Sequence, residues 1–405
     1  MQPATPPPGP SRLRGVVYLV IAILFAAGVL ASMWSTKSSS TVVAPCTAGA
    51  VISQAAIVRD ATGAAHMFAV VRPPSAPNVA PGNEPGCDAL YRSDDGGTSW
   101  TAVFSATAEA PLTFASTSPS QVYLLTQRVQ FPTYVAGNIY GSDTLGDAWT
   151  WKRISPQGRH AAPMVSITDM LTGAGGSLIL RAGNADGAAL LRSVDRGATW
   201  HSVVVPDLVS TTSVAALGNT LAVAPGKYTR GTSPGKVSTD GGATWSPLGL
   251  LPASPPQSKL HATLSASEAE RALILELMPT GGITDGPVLA RYSSIDGGRT
   301  WTTTHCGAQP APGCASPARW AQTETARYVF YHQQLFAAKT NQPWRALTAA
   351  LPVPSNTVLQ LLAVPAKPSD LLYLVTGTGI WELRNNAWRN LATNLGLAGP
   401  SPVQG

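Results

Sequence analysis

Ser93-Asp94-Asp95-Gly96-Gly97-Thr98-Ser99-Trp100 decides how this chain is read, because the pattern returns. The same eight positions recur as Ser193-Val194-Asp195-Arg196-Gly197-Ala198-Thr199-Trp200, as Ser238-Thr239-Asp240-Gly241-Gly242-Ala243-Thr244-Trp245 and as Ser294-Ile295-Asp296-Gly297-Gly298-Arg299-Thr300-Trp301. A decayed copy runs from Ser142 to Trp149; it keeps Gly146 but has Thr144 where the Asp belongs. Two further segments keep little besides a closing aromatic, Trp344 and Trp388. The chemistry is that of a hairpin turn. A Ser and an Asp two positions apart can hydrogen-bond the backbone N–H groups of the turn, and the Gly two further on supplies a positive-φ position. The Trp then leaves the turn and is expected to bury its ring against a neighbouring sheet. One carboxylate per turn is too few oxygens for calcium, so the acidic residue reads as a structural clamp.

Around these turns the chain is composed for strands. Only 12% of its 405 residues are charged, while it holds 38 Gly and 35 Pro. Apolar residues gather in short runs such as Ala89-Leu90-Tyr91, Val122-Tyr123-Leu124-Leu125-Thr126 and Leu371-Leu372-Tyr373-Leu374-Val375 rather than in helical stripes. The class expected is all-β.

The repeated pattern resembles the Asp-box, or BNR repeat, found in sialidases and several other propeller families, including photosystem II assembly factor-like and sortilin-like propellers. The resemblance covers about residues 51–395. It implies a β-propeller in which the box joins the third and fourth strands of a blade, away from the active-site face. Trp100, Trp149, Trp200, Trp245, Trp301, Trp344 and Trp388, taken as equivalent points, are spaced by roughly 43 to 56 residues, close to one blade each. A seven-bladed β-propeller over residues 46–395 is expected, or a six-bladed one if the first or last unit is an extension. Residues 396–405 form a C-terminal tail.

The N-terminal residues carry a separate signal. After a Pro-rich start, Arg12 and Arg14 precede an uncharged apolar run at 15–34, about 30 Å at helical rise and enough to cross a bilayer core. The flanking arginines predict a cytoplasmic tail at 1–14, a transmembrane signal anchor at 15–34 and a Ser-rich linker at 35–45, with the propeller on the extracytoplasmic side. A cleaved signal peptide ending near Val29-Leu30-Ala31 is the alternative, and would leave the chain secreted. Cys46, Cys87, Cys306 and Cys314 suit two disulfides in an oxidising compartment. The pairing preferred is Cys306 with Cys314, which bracket a Pro/Gly-rich loop, and Cys46 with Cys87; the other connectivities stay open.

The formal charge of +6 falls to about +3 once Arg12, Arg14 and Lys37 are set aside, too weak over so large a surface to predict a nucleic-acid partner. The six histidines show no zinc-ligand spacing, and no phosphate loop occurs. No cofactor or metal is expected. The resemblance makes exo-α-sialidase the enzyme to consider, and that family uses three arginines, a Tyr–Glu nucleophile pair and an acidic Asp. The Arg-Ile-Pro segment of the family is missing here. Glu324 with Tyr328, beside Arg327 and Tyr331, is the one local cluster of the required types, and these two residues are the weak catalytic candidates. The remaining carboxylates outside the boxes, Asp169, Glu276, Asp370 and Glu382 among them, are expected mostly as solvated loop charges. The function expected is a membrane-tethered, non-enzymatic scaffold that binds a protein or carbohydrate, with exo-α-sialidase as the alternative.

Overall fold

The eight-residue turns join the third strand to the fourth in four-stranded antiparallel sheets, and a computed structural model of the chain has seven such sheets among its described residues. These residues are 51–72, 89–105, 109–130, 133–147, 150–154, 166–173, 176–184, 187–206, 213–252, 260–267, 271–279, 288–305, 320–323, 326–331, 334–339, 342–347, 353, 358–366 and 370–391. The chain divides into Met1–Val43 and Ala44–Gly405. The expected tail, anchor, linker and C-terminal tail, together with all four cysteines, lie outside the described residues. Within those residues no helix is long and apolar enough to cross a membrane.

Each sheet is one blade, and the blades follow one another at 51–105, 109–153, 166–203, 213–247, 260–305, 320–346 and 358–390. Chain order gives the strand order within every blade, because each strand pairs antiparallel with the next. The architecture is therefore the seven-bladed β-propeller expected, not the six-bladed one. Its ring closes without exchanging a strand, since the first and last blades are each built from one continuous stretch. Closure rests instead on a cluster in which Ile52, Met67, Val71 and Tyr91 meet Tyr373, Val375, Ile380 and Leu391. A backbone bond from Ile52 N to Gly377 O at 2.8 Å fixes its height.

Alternation along the strands gives each blade two buried faces, one toward each neighbour. In the fifth blade Leu273, Leu275 and Leu277 turn toward the fourth, where they pack with Ala222, Val237 and Leu248. Equivalent apolar clusters join the first blade to the second, the second to the third, the third to the fourth and the sixth to the seventh. The strands nearest the ring axis meet by polar side chains. In the first strands of blades one and seven the register shifts between Ile52 and Gln54 and between Val358 and Gln360. These bulges re-aim the glutamines. Gln54 accepts from Phe114 N at 2.8 Å and donates to Phe114 O at 3.1 Å, while Gln360 accepts from Ala55 N at 3.3 Å. Backbone groups that would otherwise be open edges are satisfied by the neighbouring blade.

Candidate functional site

The four intact boxes share one hydrogen-bond plan. Ser93, Ser193, Ser238 and Ser294 each donate their hydroxyl to the Asp two positions on, at 2.7–2.9 Å. The same hydroxyls accept from the N–H groups of Gly97, Gly197, Gly242 and Gly298 at 2.6–2.8 Å. Asp95, Asp195, Asp240 and Asp296 then accept from both the N–H and the hydroxyl of Ser99, Thr199, Thr244 and Thr300. The hydroxyl bond stabilises the ionised carboxylate most, and it holds Asp95, Asp195 and Asp296 at about 2 and Asp240 lower still.

Each box is also a joint between blades. The glycines stand at φ of 87, 86, 100 and 85°, a region that L side chains rarely adopt. A Cβ on Gly97 would meet Leu391, on Gly197 Ile154, on Gly242 Val203 and on Gly298 Leu248, each at 2.3–2.7 Å. All four obstacles belong to the end of the preceding blade. Two of the tryptophans complete the joint: Trp100 Nε1 donates to Leu391 O at 3.0 Å and Trp200 Nε1 to Ile154 O at 2.9 Å, whereas Trp245 Nε1 donates to Gly242 O of its own box.

The decayed copy differs from the sequence expectation in one residue. Ser142 still accepts from Gly146 N at 3.0 Å, but its hydroxyl partners are Thr144 and Thr150. Thr150 stands eight positions after the serine rather than six, so the turn is two residues longer. Trp151 consequently makes the inter-blade bond, from Nε1 to Val103 O at 2.9 Å. Trp149, the expected closing residue, lies outside the described residues. In the seventh blade a two-residue turn replaces the box: Asn385 and Asn386 stand at φ of 51 and 61°, with Arg384 paired to Ala387.

Of the two catalytic candidates, Glu324 lies outside the described residues and Tyr328 is a clamp. The strand Ala326–Tyr331 forms as expected, and Tyr328 turns toward blade seven, 9% exposed. Its hydroxyl donates to Asp370 Oδ2 at 2.7 Å, and Thr323 donates to the same oxygen at 2.6 Å. Burial, then this hydrogen bond, push the phenol well above its ordinary value. A tyrosine nucleophile needs the opposite shift. Tyr373 is held similarly, by burial and then by Glu382 Oε1 at 3.4 Å, and is pushed up to about 12. Glu382, expected as a solvated charge, is almost fully buried and meets Arg389 at 3.1 Å. Both tyrosines tie neighbouring elements together.

Two other carboxylates, one half-buried and one fully buried, were missed by the sequence reading. Asp169 pairs in register with Arg181, and burial raises its carboxyl despite the guanidinium. Glu276, 1% exposed, lies 3.7 Å from Arg291 and makes no hydrogen bond; desolvation outweighs the arginine and pushes it to about 7. Among the described residues no group of His, Cys, Asp and Glu could hold a metal ion.

Strand order sends the connections between second and third strands, and from one blade to the next, to the face opposite the boxes. One of them, at 225–235, is anchored by Tyr228, whose backbone bonds Leu260 in both directions, and it displays Lys227 and Arg230 to solvent.

The BNR/Asp-box repeat family matches residues 236–247, the intact box of blade four. No curated protein matches the chain by sequence. Among solved structures it is similar to the GH74 xyloglucanase of Xanthomonas campestris, with a TM-score of 0.51 and 18% identity over 86% of this chain and 55% of that one. An ancestral GH74 enzyme gives 0.53 and 12% over 86% of this chain and 48% of its own. YCF48 from Cyanidioschyzon merolae gives 0.43 and 14% over 72% of this chain and 88% of its own. The chain spans about half the length of the two GH74 enzymes, and the likeness to them is one of fold.

Proposed function

We propose that this BNR/Asp-box β-propeller is a non-enzymatic scaffold, tethered to a membrane through residues 15–34, that binds a protein or glycan on the extracytoplasmic side. The observation that supports it best is the use made of the described acids and tyrosines. The box aspartates are engaged by the hydroxyl and N–H groups of their own turns, and Tyr328 and Tyr373 are spent on packing. Recognition is then left to the face opposite the boxes, where the longer connections emerge. The exo-α-sialidase alternative requires an activated Tyr–Glu pair, and the described Tyr–carboxylate pairs are shifted the wrong way for it.

The test is made on the full chain in detergent, assayed against fluorogenic sialosides and other aryl glycosides and, in parallel, on glycan and peptide arrays. Array binding without turnover is expected. Turnover abolished by Glu324→Gln or Tyr328→Phe would make the protein a hydrolase. Alkaline extraction of membranes tests the tether separately: release into the soluble fraction would remove it and leave the binding reading intact.

A further inference from the structure

Blade five has one face unlike any other seam. Opposite its leucines, alternation turns Ile274, Glu276 and Met278 toward blade six, with Thr263, Arg291 and Ser293 in register beside them. Blade six answers with Arg327, Val329 and Phe336, the residues facing away from its cluster with blade seven. Ile274 and Val329 are almost inaccessible, so the faces are covered. Yet among the described residues no apolar cluster joins these two blades, whereas one joins every other neighbouring pair. At its centre sits a carboxylate without a hydrogen bond. A buried carboxyl in that condition is far better accommodated as the neutral acid than as the anion.

We propose that Glu276 is a proton-binding site that controls the seam between blades five and six, the neutral acid keeping the seam closed and the anion favouring its hydration and local opening. The charged group beside it is Arg291 of its own blade; Arg327 lies on the face of blade six turned away from blade seven, and His261 of the first strand shares the Glu276 face as the register partner of Met278. Arg291 is too distant at 3.7 Å to replace the lost hydration alone. In the opened seam the carboxyl returns to the ordinary 4.5, against about 7 when closed. The opening equilibrium therefore rises about tenfold per pH unit between these values.

Hydrogen exchange of the full chain, corrected for intrinsic rates, reads this directly. In the strands Leu260–Ser267, Ala272–Pro279 and Ala326–Tyr331, opening should increase by about tenfold from pH 5.5 to 6.5, while the Leu371–Thr376 strand stays flat. Glu276→Gln should remove the slope and His261→Gln should keep it. A slope that persists in Glu276→Gln, follows His261, or is missing from the wild type overturns the proposal. If Glu276→Gln does not fold, carboxyl NMR on the wild type decides: one glutamate titrating near neutrality supports it, and none above pH 5.5 overturns it.

Discussion

Toward blade four, the fifth blade presents Leu273, Leu275, Leu277, Ala290 and Tyr292; toward blade six the same strands present Ile274, Glu276, Arg291 and Ser293. The two faces are one residue apart in sequence, and of the residues named only Glu276 and Arg291, both on the second, are charged. A strand buried on both sides can thus build one seam by close packing of leucines and the other around a charge with a distant partner. Neighbouring positions report on different seams, and substitutions one residue apart can have opposite signs.

The largest effect expected is on the leucine face. Leu275→Ala, at a fully buried position, should destabilise the propeller by about 2–5 kcal/mol in urea unfolding. A loss under about 1 kcal/mol would mean that this face is not the close-packed one. The polar face should respond the other way. Replacing Glu276 by Leu together with Arg291 by Met should stabilise the ring by about 1–4 kcal/mol at pH 8, because a buried ion pair with poor geometry rarely recovers its desolvation. A destabilised double variant would show that the pair is better satisfied than its 3.7 Å separation indicates.

The seam between blades six and seven combines both designs, an apolar cluster with one satisfied polar contact. Tyr328→Phe removes a hydroxyl but leaves Asp370 its bond from Thr323. A loss of about 1 kcal/mol is expected, with no change in any hydrolytic activity. A loss of activity instead would return Tyr328 to the catalytic candidates.

What the sequence made legible was local. Every hydrogen bond inside an intact box joins residues at most four apart, so the pattern Ser-x-Asp-x-Gly-x-Ser/Thr-Trp carries its own geometry. Lengthening the turn by two residues was enough to hide that Trp151 does the work expected of Trp149. The Asn385-Asn386 turn had a signal, two adjacent residues tolerant of positive φ, but no box around it. Tyr328 and Glu276 were out of reach for a different reason. The partner of Tyr328 lies 42 residues away, and the burial of Glu276 is a matter of tertiary packing, which no local pattern records.

The boxes and the polar seam also titrate in opposite directions, and this is the smallest and most discriminating effect. Asp95, Asp195 and Asp296 fall from 3.8 to about 2 on folding, so their contribution is complete above 3.8 and is lost as pH falls through about 2. Glu276 rises from 4.5 to about 7, so stability falls as pH climbs between those values. The melting temperature should therefore peak near pH 4–5 and decline on both sides. Asp195→Asn should flatten part of the acid limb and leave the upper limb alone, and Glu276→Gln should do the reverse. Blade two, with Thr144 in place of the aspartate, offers an internal control: its Ser142–Thr150 contact carries no charge and should hold to lower pH than the boxes on either side. Acid exchange that begins in blade two would mean that the carboxylates are not what fails first.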